Sequence, residues 1–462
     1  MNNKKNIYQP TLLAVTIFAG LFANTALASG YHFGTQSVTV QSTANASAAE
    51  AVDASTLFYN VAGLSKLEGT NISINANLVA PSVKYKNSEA SYPAGMPANV
   101  TGATRGQIAK SLVVAPHFYA SHQLNDQLTV GLGVYVPFGS GTEYQRDSVL
   151  RYNVNKMDLK TIDINPTLSY KINDHHSVGI GLIGQYTIAG LRNYANFGSI
   201  AGVNGGADGF VDIEGTDWGF GYNIGYLWDV NDKVRLGANY RSKVEHTLKG
   251  DAEWKFANPN APLTQAIAPG IRGANYLPSE KTTVKIVTPE SLSLHGMVKI
   301  DPKWTAFGDI TWTRHSRFNT LNINYENIKQ PSNTSVTILK PNWKDTFKFS
   351  LGAAYQYSDP LQLRFGIAYD QSPVRGVDQR LTTLPDNDRI WFSLGAKYNL
   401  NKNSSLNLGY SYIHIKDAKA NVNGYCGGAT PGSVACVSSQ TRGSAEYKSN
   451  AHILGVQYNY HF

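Results

Sequence analysis

Apolar and polar residues alternate with a period of two in many short segments of this 462-residue chain. The last segment is the clearest, since Leu454, Val456 and Tyr458 fall on one side and Gly455 and Gln457 on the other. A period of two indicates a β-strand with one apolar face. The pattern predicts fourteen strands, at residues 72–80, 112–120, 128–138, 162–172, 178–188, 218–228, 234–240, 292–300, 304–312, 347–357, 361–369, 390–398, 406–412 and 450–462.

The connections between these strands alternate between short polar turns and long segments. The long segments are residues 81–111, 139–161, 189–217, 241–291, 313–346, 370–389 and 415–449. An even strand count with this alternation is typical of a bacterial outer-membrane β-barrel, which has short periplasmic turns and long outer loops. The apolar stripes lack charge, whereas the opposite face is rich in Gly, Ser, Asn, Thr, Asp and Lys. We therefore expect an all-β membrane protein, a fourteen-stranded antiparallel transmembrane barrel with a polar or glycine-lined lumen.

The amino-acid composition excludes several classes of protein. Charged residues make up 16% of the chain, against about 25% in soluble domains. After the first 30 residues no apolar run of about 18 residues occurs, which argues against helical membrane spans. The net charge of +8 is spread along the chain without a dense Lys/Arg block, so nucleic-acid binding is disfavoured. A membrane barrel or a large secreted β-protein remains.

The N-terminus divides into two parts before the first strand. Lys4 and Lys5, an apolar run at 12–22 and the small residues at 26–28 predict a signal peptide over residues 1–28. Residues 29–70 are rich in alanine and favour a small, partly helical domain. A fourteen-stranded barrel has a lumen wide enough to need filling. We therefore expect residues 29–70 to plug the barrel formed by residues 71–462.

Several motifs make the expectation more specific, and together they resemble the FadL/TodX family of outer-membrane transporters for long-chain fatty acids and other hydrophobic compounds. Asn60-Val61-Ala62 is similar to the Asn-Pro-Ala motif of the family's N-terminal hatch, with Val61 in place of proline. The further matching segments are residues 29–31, 53–64, 343–346, 363–374 and 384–391. The resemblance implies a barrel with a hatch and a sideways exit for hydrophobic substrate at a kink in the third strand.

The resemblance also suggests where ligand would bind and leave. It implies that Ser29, Gly30 and Tyr31 reach into an apolar pocket, and Phe58 is a further candidate for its lining. In the third strand, Gly131, Gly133 and Pro137 mark the expected lateral opening, because proline removes a ladder hydrogen bond and glycine marks bends. An ordinary strand end next to the long loop is the alternative.

A carboxylate ligand needs a cation, because a buried charge must be paired. Arg192, Lys340 and Lys344 lie near outer strand ends and are candidates, with solvated loop charges as the alternative. The C-terminal Phe462 resembles the recognition signal of the outer-membrane assembly machinery. We expect a monomer in the outer membrane of a Gram-negative bacterium. Its expected partners are that machinery, outer-membrane lipid, lipopolysaccharide, and hydrophobic molecules such as fatty acids or aromatic hydrocarbons.

Signals of enzymatic chemistry are weak. The run Gly179-x-Gly181-x-x-Gly184 matches a dinucleotide fingerprint in letters, but it lies inside a predicted strand with no helix after it. No Gly-x-Ser-x-Gly elbow occurs. We expect a transporter without cofactor or metal rather than an enzyme. A diffusion porin for small polar solutes and a surface adhesin built on the long loops remain alternatives.

Export to an oxidising compartment generates a first prediction. Cys426 and Cys436 lie in a polar, glycine-rich outer segment, which suits a local disulfide. A closed loop of this size gains about 2–3 kcal/mol in the chain-entropy account. Mass spectrometry of peptides from the unreduced protein should show the two cysteines linked, and two free thiols would contradict the prediction.

Overall fold

The structure, a computed structural model, describes residues 34–92, 99–109, 112–423 and 441–462. The predicted signal peptide, Ser29, Gly30, Tyr31, Cys426 and Cys436 lie outside the described residues.

Fourteen antiparallel strands, β1 to β14, form the wall of the barrel. Their bounds are Thr70–Ser91 (β1), Val113–Gln123 (β2), Leu128–Tyr135 with Gly139–Glu143 (β3), Lys156–Lys171 (β4), His176–Asn196 (β5), Asp208–Asp229 (β6), Val234–Arg241 with Val244–Phe256 (β7), Glu280–Thr288 with Ser291–Lys299 (β8), Trp304–Thr313 (β9), Thr346–Gln356 (β10), Leu361–Asp370 (β11), Arg389–Asn399 (β12), Ser404–Asn423 (β13) and Arg442–His461 (β14). Each strand pairs with its neighbours, and β1 pairs with β14 from Asn71↔His461 to Ser91↔Arg442, which closes the barrel. The predicted fourteen-stranded barrel is confirmed.

Short elements lie inside the barrel and over its outer end. They are helices α1 (Val38–Gln41), α2 (Thr56–Tyr59) and α3 (Pro262–Gly273), the 3₁₀ turns Val61–Lys66, Phe197–Ala201 and His315–Arg317, the strand Gly106–Gln107, and a loop hairpin of Leu321–Lys329 and Thr334–Leu339. Among the described residues, no helix is both long enough and apolar enough to cross a membrane.

Apolar side chains cover the outside of the wall and polar ones its inside. Phe220, Leu182 and Leu351 on the outer face are 78%, 65% and 67% exposed. Exposed aromatic side chains lie near the turns, as an interfacial girdle requires; they include Tyr170, Trp228, Trp304, Tyr357, Tyr398 and Tyr458. The buried inner face carries polar residues such as Asn77 and Asn165. This distribution is the reverse of that in a soluble protein, whose apolar side chains face inward, because the outer face of this barrel contacts lipid.

The short turns between strands are built around side-chain caps. Asn125, Asn173, Asn231, Asp301 and Asn401 each accept a hydrogen bond from a backbone N–H two residues further on, at distances of 2.7–3.0 Å. Such caps fix a tight reversal without tertiary contacts. The turn positions were therefore readable from the sequence.

The outer ends of several strands extend beyond their predicted limits, so parts of the predicted long loops are strand. Strand β5, for example, runs to Asn196 rather than ending at residue 188. The outer extensions bury an apolar cluster that includes Trp254, Ile271 of α3 and Tyr325 of the loop hairpin. The period-two rule fails there because these strand faces pack against protein instead of lipid.

Phe462 lies at the seam between the first and last strands. Its N–H donates to the carbonyl oxygen of Thr70 at 2.9 Å, and its ring centroid is 4.6 Å from that of Tyr460. The side chain is 64% exposed, and its role in assembly stays a prediction.

Candidate functional site

Residues 34–69, here called the hatch, lie inside the barrel against a wall of inward-facing glycines. On one side the motif residue Asn60 and its successor Val61 rest on Gly179 of β5, Gly225 of β6 and Gly237 of β7. A Cβ atom on Gly179 would lie 2.7 Å from the Val61 carbonyl carbon, and one on Gly237 would lie 2.8 Å from Asn60 Nδ2. Contacts this short are not allowed, so the hatch requires glycine at these positions.

The opposite end of the hatch is held by the last strand. Gln457 of β14 accepts hydrogen bonds through Oε1 from Val38 N at 2.8 Å and from Ser37 Oγ at 3.0 Å. Helix α1 has no side-chain cap of its own, so Gln457 satisfies a donor that a helix N-terminus leaves free. Gln457 Nε2 also donates to Asp53 Oδ2 at 3.0 Å.

Two ion pairs add to this attachment. Glu50 of the hatch pairs with Arg364 of β11 at 2.8 Å, and the Arg364 side chain is 2% exposed. Lys66 pairs with Asp229 at the turn end of β6. Removing one partner of a buried pair leaves a buried charge unsatisfied, which costs about 3–5 kcal/mol.

Asn60-Val61-Ala62 forms the start of the 3₁₀ turn Val61–Lys66. Asn60 Oδ1 accepts from Ala62 N at 3.0 Å, while its Nδ2 lies 2.9 Å from both the Tyr226 carbonyl oxygen and His295 Nε2. Val61 occupies the first position of the turn, where proline is favoured. The local conformation is therefore formed without the proline of the family motif.

Strand β3 is broken at residues 136–138, within the segment predicted as one strand. Between the pairs Tyr135↔Asp163 and Gly139↔Lys160, three residues of β3 oppose two of β4, which is a bulge. The ladder between β2 and β3 ends at Phe118↔Val134, and no ladder joins β2 to Gly139–Glu143 in the described chain. The backbone pairing between β2 and β3 is therefore interrupted beyond Val134, and the chain before β2 contacts β3 again at the bridge Ala109↔Thr142.

The hatch reaches this opening. Gln36 Nε2 donates to the carbonyl oxygen of Val136 at 2.8 Å. Pro137 lies in the break, whereas Gly131 and Gly133 lie in the paired part of β3, where a Cβ would come within 2.7–2.9 Å of Leu64 or Leu57. The hatch thus covers both the opening and the glycines below it.

Aromatic rings and a paired arginine surround the hatch beside the break. Phe58 packs edge-on against Tyr135, with centroids 5.1 Å apart. The Arg241 guanidinium lies 4.6 Å from the Phe58 centroid, donates to Tyr135 Oη at 2.9 Å and pairs with Asp163 at 3.2 Å. This arginine is therefore already paired with a carboxylate and a phenol.

Two adjoining cavities lie above the hatch. The first, called the apolar cavity, has an empty volume of about 840 Å³ and lies between the outer parts of β3–β8 and the loops. Its apolar lining includes Met157, Leu159, Leu191, Ile213, Leu248, Val284, Ile286, Phe318, Leu321 and Leu384. The second, called the polar cavity, has about 990 Å³ and reaches the hatch and the break; Phe58, Pro137, Asn239, Arg241, Ser293, Asp309, His315, Lys348 and Asp370 line it. The cavities adjoin along β3, where Phe138 and Ser140 line one each, and along β8.

Lys348 of β10 is a cation at the polar cavity that the sequence analysis did not name. Its Nζ lies 4.0 Å from the centroid of the Trp391 ring and close enough to Asp309 and Asp370 to interact electrostatically. Among the described residues, the Lys348 side chain has no hydrogen bond and no salt bridge, whereas its backbone pairs with Asp370 in the ladder. Its position between the exposed Phe347 and Phe349 is the signal that could have placed it on the inner face.

The three predicted cations lie elsewhere. Arg192 pairs with Asp212 at 2.7 Å and with Glu143 at 2.8 Å. Lys340 and Lys344 are exposed. None of the three lines either cavity, whereas the predicted Phe58 does.

A closed barrel with an apolar outer belt, an internal hatch and cavities between the hatch and the outer loops is typical of an outer-membrane transport protein. A family model for outer membrane protein transport proteins (OMPP1/FadL/TodX) matches residues 19–462, and the chain belongs to this family. It is a family of transport proteins of the outer membrane, not of enzymes.

Individual relatives agree with this assignment. A Neisseria meningitidis serogroup B protein, named only as an outer membrane protein, is 49% identical over 98% of both chains. The long-chain fatty acid transport protein of Escherichia coli K12 is 27% identical over 79% of this chain and 82% of its own. The crystal structure of a Pseudomonas aeruginosa FadL homologue has a similar fold, with a TM-score of 0.82 at 20% identity over 94% of this chain and all of the other.

The geometry of the hatch motif predicts opposite effects for proline at two neighbouring positions. Asn60 is extended (φ −158°, ψ 107°), as a residue before proline prefers, and no hydrogen bond from the Val61 N–H is found in the described chain. Val61→Pro should therefore stabilise the turn by about 0.4–1 kcal/mol and slow its amide hydrogen exchange about two- to fivefold.

Ala62→Pro is the matched control, because it removes the N–H that Asn60 Oδ1 accepts. A buried acceptor left unsatisfied costs about 1–3 kcal/mol, so exchange in residues 56–66 should accelerate. Equal exchange rates in the two variants would contradict the proposed role of the Asn60 side chain as the cap of this turn.

Proposed function

We propose that this protein takes up long-chain fatty acids across the outer membrane. The proposal rests on the position of the Lys348 ammonium group. This group has no hydrogen-bond partner in the described chain, and it lines the polar cavity, which adjoins the apolar cavity. An aliphatic tail would occupy the apolar cavity and its carboxylate would pair with Lys348.

The apolar cavity supplies the binding energy. Each buried CH₂ contributes about 0.8 kcal/mol, so a tail with many methylenes gains more there than any small polar solute could. The charged group needs separate treatment, because a carboxylate carried into such a site without a partner would be strongly disfavoured. Lys348 meets this requirement, whereas Arg241 is already paired with Asp163.

The break in β3 is the proposed exit. It adjoins the polar cavity through Pro137 and Phe138 and opens towards β2 beyond the pair Phe118↔Val134. A ligand leaving there would pass directly into the apolar surroundings of the wall without crossing water. The hatch covers the opening through Gln36, so its displacement is part of the proposed route.

A neutral aromatic hydrocarbon is the second candidate ligand. The fold also resembles a Pseudomonas putida toluene transporter, with a TM-score of 0.62 at 18% identity. The apolar cavity would accept such a ligand, but a hydrocarbon makes no use of Lys348. The charge dependence of binding therefore separates the two candidates.

Replacing the lysine tests the carboxylate contact. Lys348→Met removes a charge-assisted interaction of about 1.5–3 kcal/mol, so the affinity for oleate should fall about 10- to 100-fold. Methyl oleate should bind both proteins equally, as measured by fluorescence titration of the purified barrel. Lys344→Met is the control at an exposed lysine, and it should leave oleate binding unchanged. Equal loss for acid and ester would point to a packing defect.

Deleting one residue tests the exit. Removing Pro137 makes two residues of β3 oppose two of β4 between the flanking pairs, so the strand can continue and pair with β2. Uptake of labelled oleate by cells lacking their own transporter should then fall at least tenfold, while oleate binding to the purified protein stays within about threefold. Pro137→Ala keeps the residue count and should retain uptake. Wild-type uptake by the deletion variant would rule out the lateral route.

A further inference from the structure

A chain of hydrogen bonds joins the hatch motif to the polar cavity. Asn60 Nδ2 lies 2.9 Å from His295 Nε2, and His295 Nδ1 lies 2.9 Å from Ser293 Oγ. Ser293 Oγ lies 2.5 Å from Asp309 Oδ2. Ser293 and Asp309 line the polar cavity, so the chain, here called the relay, runs from the ligand side to the hatch.

The direction of each bond in the relay follows from its donors. Asn60 Oδ1 is occupied by the N–H of Ala62 at 3.0 Å, so the amide nitrogen must be the group that faces His295. An amide nitrogen only donates; His295 Nε2 must accept, and the ring proton must be on Nδ1. Ser293 then accepts from His295 and donates its own hydrogen to the Asp309 carboxylate. The direction of each hydrogen bond in the relay is thus set by the neighbouring one.

The surroundings hold this arrangement in place. His295 and Asp309 are 5% and 6% exposed. A Cβ on Gly237 would lie 2.5 Å from His295 Nε2, so the wall leaves no room beside the ring. The other Asp309 oxygen accepts from Thr311 Oγ1 at 2.6 Å, and Lys348 interacts electrostatically with the same carboxylate.

We infer that Ser293 and His295 are positioning residues that transmit the arrival of a ligand carboxylate at Lys348 to Asn60 of the hatch. The inference rests on the proposed function. A ligand carboxylate at Lys348 adds a second negative charge beside Asp309 and competes for the same ammonium. With two carboxylates beside one ammonium group, Asp309 takes up a proton from solvent. Its protonated oxygen donates to Ser293, so the Ser293 hydroxyl is no longer held in one direction, the His295 ring loses its fixed proton position, and the wall releases Asn60.

Hydrogen exchange of the hatch tests this inference in the full-length protein. Oleate should accelerate exchange in the peptide covering residues 56–66 of the wild type severalfold. Ser293→Ala keeps Lys348 as the carboxylate partner, so at saturating oleate the variant should be fully liganded, but the oleate-dependent acceleration should disappear. Thr311→Val is the matched control, since it removes a hydrogen bond to the same carboxylate outside the relay and should keep the acceleration.

Folding of each variant is judged by heat-modifiable migration in gel electrophoresis. If Ser293→Ala does not fold, substitutions of His295 provide the test instead. His295→Gln offers an amide oxygen to Asn60 and an N–H to Ser293, so it should preserve the response, whereas His295→Leu should abolish it. A retained oleate response in Ser293→Ala or in His295→Leu overturns the relay. Absence of oleate binding to the wild type overturns the proposed function itself, and the relay with it.

Discussion

The structure depends on the direct contact between the hatch and the bare backbone of the barrel wall. Glycines on β5–β7 lie beneath the Asn60 motif, and Gly366 and Gly395 lie beneath Thr43 and Ser42 on the opposite side. A lumen of fourteen strands is filled by this one short segment only because the wall contributes no side chains there. Polar groups of the hatch can then reach the wall at hydrogen-bonding distance. Hydrogen bonds as well as close packing therefore hold the hatch in position.

Hatch and wall also complete each other's hydrogen bonds. The carbonyl of Val136, left without a ladder partner by the break, is satisfied by Gln36, and the N–H of Val38 is satisfied by Gln457. Unsatisfied buried groups each cost about 1–3 kcal/mol, so displacing the hatch exposes polar groups on both surfaces. Any movement must therefore be small or must bring water or ligand into the vacated contacts.

The barrel was predictable because its two signals are local. Lipid outside and polar lumen inside impose a period of two, and Asx caps such as Asn173 and Asp301 mark the turns. The resemblance supplied the hatch motif and the broken strand at Pro137. Lys348 was not among the predicted cations because those were chosen by proximity to strand ends, whereas Lys348 is identified as inward-facing by the alternation of Phe347 and Phe349 around it. The outer extensions of β5–β8 escaped prediction because their faces pack against loops, which local alternation does not describe.

The contact between Gln457 and the first helix joins the two ends of the polypeptide. Gln457 lies five residues before the C-terminus, on the strand that closes the barrel against β1, and it is the group that caps α1. The segment made first is therefore anchored by the segment made last. The hydrogen bonds that cap α1 therefore form only once β14 has joined the wall, so this attachment of the hatch reports closure of the barrel.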